Sequence, residues 1–359
     1  MSLLEDRYRR VLRLLPASYR AEREEEMVCA FMEGSAGLTD ADDPRPRWPE
    51  IASVAALSLR VRLGGAGAAP RFLAWGRAVR LAAVLGLLFH ATMSCAWFLE
   101  AVRGSLSTGR PAVPGEVWSE QWLSGTAQIL GYLLWIAVFG TLVRGHPRTA
   151  KILALLALVS FYGPLAQDGP GTGDAVVYGL LFAVPVLALV AGFHRDAPPP
   201  RRSRWTAALP VLAGVPLHVL LSALGSLGMS RTVDWHLWSW LWPWLSSSGT
   251  ACLAFLVASA ICLGRRPRAP GGRDPALPLA LAVLSVPVIL ARVAFLTVDA
   301  VDPATRVMAA VNIGQLVAVL LCGLVLTRVA ARALPAPPMP PALPAQPRVP
   351  DVPPSSPSG

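Results

Sequence analysis

A chain of 359 residues with 54% hydrophobic and 15% charged residues and a mean hydropathy of +0.50 is too apolar for an ordinary soluble domain. Its net charge of +10 would suit a nucleic-acid partner, but the arginines that supply it stand in short loops beside apolar stretches, where the positive-inside rule accounts for them. No nucleic acid is therefore expected, and the pattern reads as an all-α, polytopic helical membrane bundle headed by a small N-terminal cytoplasmic helical module.

Residues 1–63 carry the module. Ser2 and Glu5 match an S-x-x-E capping box, and Leu4, Tyr8, Val11, Leu12 and Leu15 follow at helical spacing. Pro16 ends this helix and can begin a second over 17–33, whose apolar side holds Tyr19, Met27, Val28, Phe31 and Met32, with Gly34 as its stop. Asp40, Asp42 and Asp43 mark a loop, and a third helix over 49–63 carries Ile51, Val54, Leu57 and Val61. Gly64, Gly65 and Gly67 read as a flexible joint in a linker and basic juxtamembrane stretch over 64–79. Charge from Glu5 onward leaves no cleavable signal peptide, so the first span is expected to act as a signal anchor.

The run from Tyr8 through Leu12-Arg13-Leu14-Leu15-Pro16, continuing as Tyr19-Arg20 and Glu25-Glu26-Met27, resembles the opening of permease-prefix domains and the related HAAS-like helical domains of bacterial multi-pass membrane proteins. About 30 residues match firmly and about 65 loosely, and Glu24 stands where the family pattern usually has glycine. The resemblance implies a bacterial plasma-membrane protein whose prefix binds a cytoplasmic partner, an ATPase or a transcriptional regulator. It implies core roles for Leu12, Leu15, Tyr19 and Met27, an ion pair or docking surface at Arg20 and Glu26, and Tyr19, Arg20, Glu25 and Glu26 as candidate docking residues.

A span needs roughly 20 apolar residues. Eight stretches qualify: 80–102, 124–143, 150–166, 175–193, 206–228, 246–264, 277–297 and 307–327. The loops at 144–151, 194–204 and 264–276 hold eleven basic residues against four in the intervening ones, which predicts eight crossings within 80–328 and both termini in the cytoplasm. The five tryptophans between Trp235 and Trp244 read as an interfacial belt on a short helix, with an aromatic cage as the alternative. Residues 329–359, dense in proline, are expected to be a disordered cytoplasmic tail.

No Walker-type loop, HExxH or GxSxG motif is present. The glycine-rich run Gly169–Asp174 opens no helix of a βαβ unit, and the five cysteines form no C-x-x-C pair. No enzyme activity, cofactor or metal is expected. His90 and His218 lie near the middle of their spans and read as hydrogen-bonded neutral residues, with a proton relay as the alternative. Glu100, Gln128, Arg292, Asn312 and Gln315 fall in the outer third of theirs. Ten residues either side of Asp302, Arg292 and Asn312 share one depth, so Arg292 is expected to turn inward onto Asn312, Glu100 or both, as the floor of a polar vestibule. The favoured reading is a non-enzymatic component of a regulatory or export assembly, and the alternative is an autonomous secondary transporter.

Overall fold

The computed structural model describes residues 3–34, 45–108, 120–167, 173–194, 204–229, 235–265, 274–294, 296 and 302–335. The expected capping role of Ser2, the acidic loop at 40–43, the Gly169–Asp174 run up to Thr172, and the tail beyond Pro335 lie outside them. Twelve helices are formed by the described residues, which contain no strand.

Three helices precede the bundle: α1 (Leu3–Leu12), α2 (Ala17–Gly34) and α3 (Trp48–Arg62). Their apolar faces meet in one cluster of Tyr8, Leu12, Leu15, Tyr19, Val28, Val54 and Val61, with the Tyr8 and Phe31 rings stacked 3.9 Å apart. Glu50 reaches back to the Arg47 backbone N–H at 2.6 Å and starts α3. Ser58 Oγ donates to the Leu14 carbonyl at 2.6 Å, tying α3 to the turn between α1 and α2.

The glycine joint is compact, which corrects the expectation of a flexible hinge. Gly64 and Gly67 take φ of 81° and 75°, a region open to glycine at no steric cost. A side chain on Gly67 would press on the Tyr19 ring at 3.1 Å, and the Gly65 N–H donates to the Arg60 carbonyl at 2.8 Å. The next helix, α4 (Pro70–Thr108), then starts at once, so most of the expected juxtamembrane linker is helical. Its Gly76 lies so close to the third helix that a Cβ there would sit 2.0 Å from the Leu63 carbonyl oxygen. Left-handed backbone at Gly64 and Gly67 and close approach at Gly76, and not a loose hinge, are what these glycines supply.

At 39 residues, α4 is about 58 Å long at 1.5 Å per residue, against roughly 30 Å of hydrocarbon. It packs on α5 (Glu120–Val143), α7 (Gly173–Gly192), α8 (Arg204–Met229) and α11 (Ala276–Ala294). The remaining helices are α6 (Pro147–Gln167), α9 (Trp235–Leu245), α10 (Ser247–Gly264) and α12 (Pro303–Ala333). Six of the twelve, namely α4, α5, α8, α10, α11 and α12, are long and apolar enough to cross a membrane. Their outward residues include many Leu and Val, as at Leu212, Val219, Leu253, Val257, Leu320 and Leu321, the side chains hydrocarbon favours.

Two apolar clusters fill the bundle, one around Leu87, Phe139, Leu142 and Leu189, the other around Cys252, Leu281, Val319 and Leu326. Lysine occurs once, and Lys151 Nζ donates to the Val190 and Phe193 carbonyls at 3.1 and 2.8 Å, closing the end of α7. α12 runs on to Ala333, where Ala330 joins Ala78 and Leu279, so the first residues assigned to the tail are helical. The tryptophan-rich α9 packs on α12 and α10 and turns Leu237, Trp240 and Leu241 outward.

Candidate functional site

The polar residues expected at one depth separate into two groups because equal depth does not set direction around a helix. Arg292, in the last turn of α11, is 1% exposed, which excludes snorkelling to the headgroups. Its Nη1 donates to Asn312 Oδ1 of α12 at 2.9 Å. One turn along α12, the Gln315 Nε2 donates to the Pro243 carbonyl of α9 at 3.4 Å, and its buried Oε1 has no hydrogen-bond partner among the described residues. A cavity of about 150 Å³ opens beside the pair, with Ser246, Ser248 and Thr305 supplying hydroxyls and Trp242 and Met308 apolar wall.

Local chemistry builds this end of the fold. Ser246 caps α10 by accepting from the Gly249 N–H at 3.1 Å. Asp302 caps α12 by accepting from the Thr305 N–H at 2.7 Å, and these hydrogen bonds hold its carboxyl below the usual carboxylate range. Gly249 allows α9 to fold back on α10, since a Cβ there would meet the Pro243 oxygen at 2.0 Å.

Glu100 does not join Arg292, and the expectation of one shared vestibule is corrected. Its carboxylate faces α8, accepting from Ser222 Oγ at 2.9 Å and lying 3.6 Å from His218 Nδ1. Arg103, one turn on, donates its Nε to Glu100 at 3.2 Å. The α4–α8 crossing fixes this pairing, because Gly214 lets the backbones approach until an added Cβ would lie 2.6 Å from Cys95 Cβ. Sequence reading missed Ser222; the signal was its i, i+4 spacing from His218, which puts both on one face of α8. Gln128 is exposed on α5 and hydrogen-bonds Tyr132 one turn away, apart from both groups.

His90 is buried between α4, α5 and α7, its ring stacked 4.4 Å from Phe182 and tilted 5.3 Å from Trp135. Its Nε2 lies 3.0 Å from the Leu181 carbonyl oxygen. That carbonyl is the one α7 cannot satisfy: the N–H four residues on belongs to Pro185, which has none. His90 supplies the missing donor, which requires the Nε2-protonated form.

In the module, Tyr19 is in the core and is not a surface docking group. Arg20 lies 3.8 Å from Glu24, and Glu26 lies 3.9 Å from Arg23. The implied Arg20–Glu26 pair does not form, because residues six apart project from different sides of a helix. Arg9 bridges Glu5 and Glu25 at 3.1 and 2.8 Å and holds the Glu25 carboxyl below its usual range. Glu22, Glu25, Glu26 and Glu33 are exposed along the outer face of α2. Among the described residues no three metal-ligating side chains come together.

No family model, curated protein or solved structure matches the chain.

Proposed function

We propose that this chain is a non-enzymatic, multi-pass component of a bacterial plasma-membrane assembly that presents a three-helix platform to a cytoplasmic partner, an ATPase or a transcriptional regulator. In this reading α6 and α7 complete eight crossings and both termini are cytoplasmic, which the arginine pattern of the loops supports. The observation that carries the reading is the mounting of the platform. The close approach of Gly76 to Leu63 and the Gly67–Tyr19 contact support a surface held in fixed orientation to the bundle, the Ser58–Leu14 hydrogen bond ties the platform's own helices together, and pre-organisation of that kind favours docking. The acidic face of α2 suits a basic partner surface.

An autonomous secondary transporter is the second reading, favoured by the Arg292–Asn312 cavity near the outer boundary. Purification of the full chain in mild detergent, beside a Glu22→Arg, Glu26→Arg, Glu33→Arg variant, separates the two. Docking predicts a defined cytoplasmic protein that co-purifies with the natural chain and falls about tenfold or more in the variant, with helix content unchanged. Equal recovery from both, or none from either, contradicts docking. Ion-coupled uptake by vesicles holding this chain alone favours transport.

A further inference from the structure

An apolar cavity of about 320 Å³ lies between α4, α7, α10 and α11, away from both polar groups. α11 packs on both α4 and α10 and forms the back wall. Glycine and alanines make the space. Gly86 and Ala251, Ala254 and Ala258 stand where larger side chains would close it, and the Pro185 ring fits against Gly86.

The cavity sits at hydrocarbon depth. Leu85 to Thr92 of α4, Ala251 to Ala258 of α10 and Leu281 to Val288 of α11 bound it, and each stretch is about 10 Å long at 1.5 Å per residue. Its polar lining is confined to the His90 and Thr92 side chains, and His90 Nε2 is already committed to Leu181. A polar or ionic ligand would find little to replace its hydration. Ala254 both lines the cavity and is exposed, and its neighbours Leu253 and Val257 face outward. The mouth therefore opens sideways, into lipid.

We propose that this crevice is a binding site for one acyl chain of a bilayer phospholipid, lodged between α4 and α10. The volume is about twice that of an apolar cavity that admits benzene, at roughly 150 Å³. It is far too narrow for a partner helix of about 10 Å diameter. A stretch of about 10 Å of one extended hydrocarbon chain fits its length, its lining and its sideways opening, and filling it restores the contacts an empty space forfeits.

The test reconstitutes the full chain in vesicles containing a trace of phosphatidylcholine with a diazirine in mid-chain, followed by illumination and mapping of adducts. The site predicts adducts on Ala254–Ala258 and Leu85–Thr92 about tenfold above those on the outward Leu320 and Leu321, the ratio of a site favoured over bulk lipid by about 1.4 kcal/mol. Ala258→Phe, which fills the crevice, abolishes that excess, and Leu253→Phe on the outer face leaves it. Adducts spread evenly over lining and outward residues overturn the proposal on the natural chain alone, whatever the folding of the variants. An excess that persists in Ala258→Phe also overturns it. Where Ala258→Phe does not give monodisperse protein, Ala251→Leu replaces it with the same expected loss. A diazirine fatty acid that labels the crevice more strongly than the phospholipid overturns the assignment to a bilayer lipid.

Discussion

Replacing His90 with phenylalanine is expected to destabilise the bundle by about 1–2 kcal/mol, the range for a buried carbonyl deprived of its donor within a membrane protein. Phenylalanine keeps a ring against Phe182 and Trp135 but has no hydrogen to give the Leu181 oxygen. The cause lies one turn away, in the missing N–H of Pro185. In a Pro185→Ala background the helix can make its own bond to Leu181, so the same His90→Phe change becomes nearly silent. Unfolding of the four proteins in mixed micelles measures the coupling. Strictly additive effects would show that His90 does not act through this carbonyl.

Gly76→Ala is expected to free the N-terminal platform while sparing the bundle. The added methyl would sit 2.0 Å from the Leu63 carbonyl oxygen. The obstacle is backbone on both sides, so no rotamer change relieves it, and overpacking of this kind costs about 1–3 kcal/mol. The contact is at the base of the platform, so the expected response is a shift of α1–α3 off α4. Spin labels on the exposed Cys29 and on an Arg332→Cys side chain report it by pulsed electron resonance: one narrow distance in the natural chain, a broad distribution in Gly76→Ala. Gly140→Ala, where an added Cβ meets nothing within 4 Å, leaves the distribution narrow. An equally narrow distance in Gly76→Ala would mean that the platform is held by other contacts.

The helices were legible in the sequence where local chemistry marks them. The leucine spacing of α1 and the break at Pro16 are signals within one turn of the residues they govern. The Arg292–Asn312 contact was legible for a different reason, since a short hairpin keeps residues equidistant from Asp302 at one depth. Depth says nothing about direction around the helix axis, which is why Glu100 was grouped with Arg292 although its face meets Ser222 and His218. Glycine was the least legible residue. At Gly76 the residue type that suggests freedom serves close packing against the Leu63 carbonyl, and at Gly64 and Gly67 it serves a compact left-handed turn, roles that only the folded backbone distinguishes from a loose hinge. The proton donor to Leu181 was hidden likewise, because a proline's orphaned carbonyl finds its partner 91 residues away in sequence.

The account rests on a platform that faces the cytoplasm beneath a bundle of eight crossings, and cysteine accessibility tests this most directly. Chains with one cysteine each, at Cys29, Gly171→Cys or Gly271→Cys, are treated in intact cells with a membrane-impermeant maleimide and again after permeabilisation. The account predicts that Gly171→Cys reacts from outside, whereas Cys29 and Gly271→Cys react only once the membrane is opened. Reaction of Cys29 in intact cells, or of positions 171 and 271 from the same side, would contradict it.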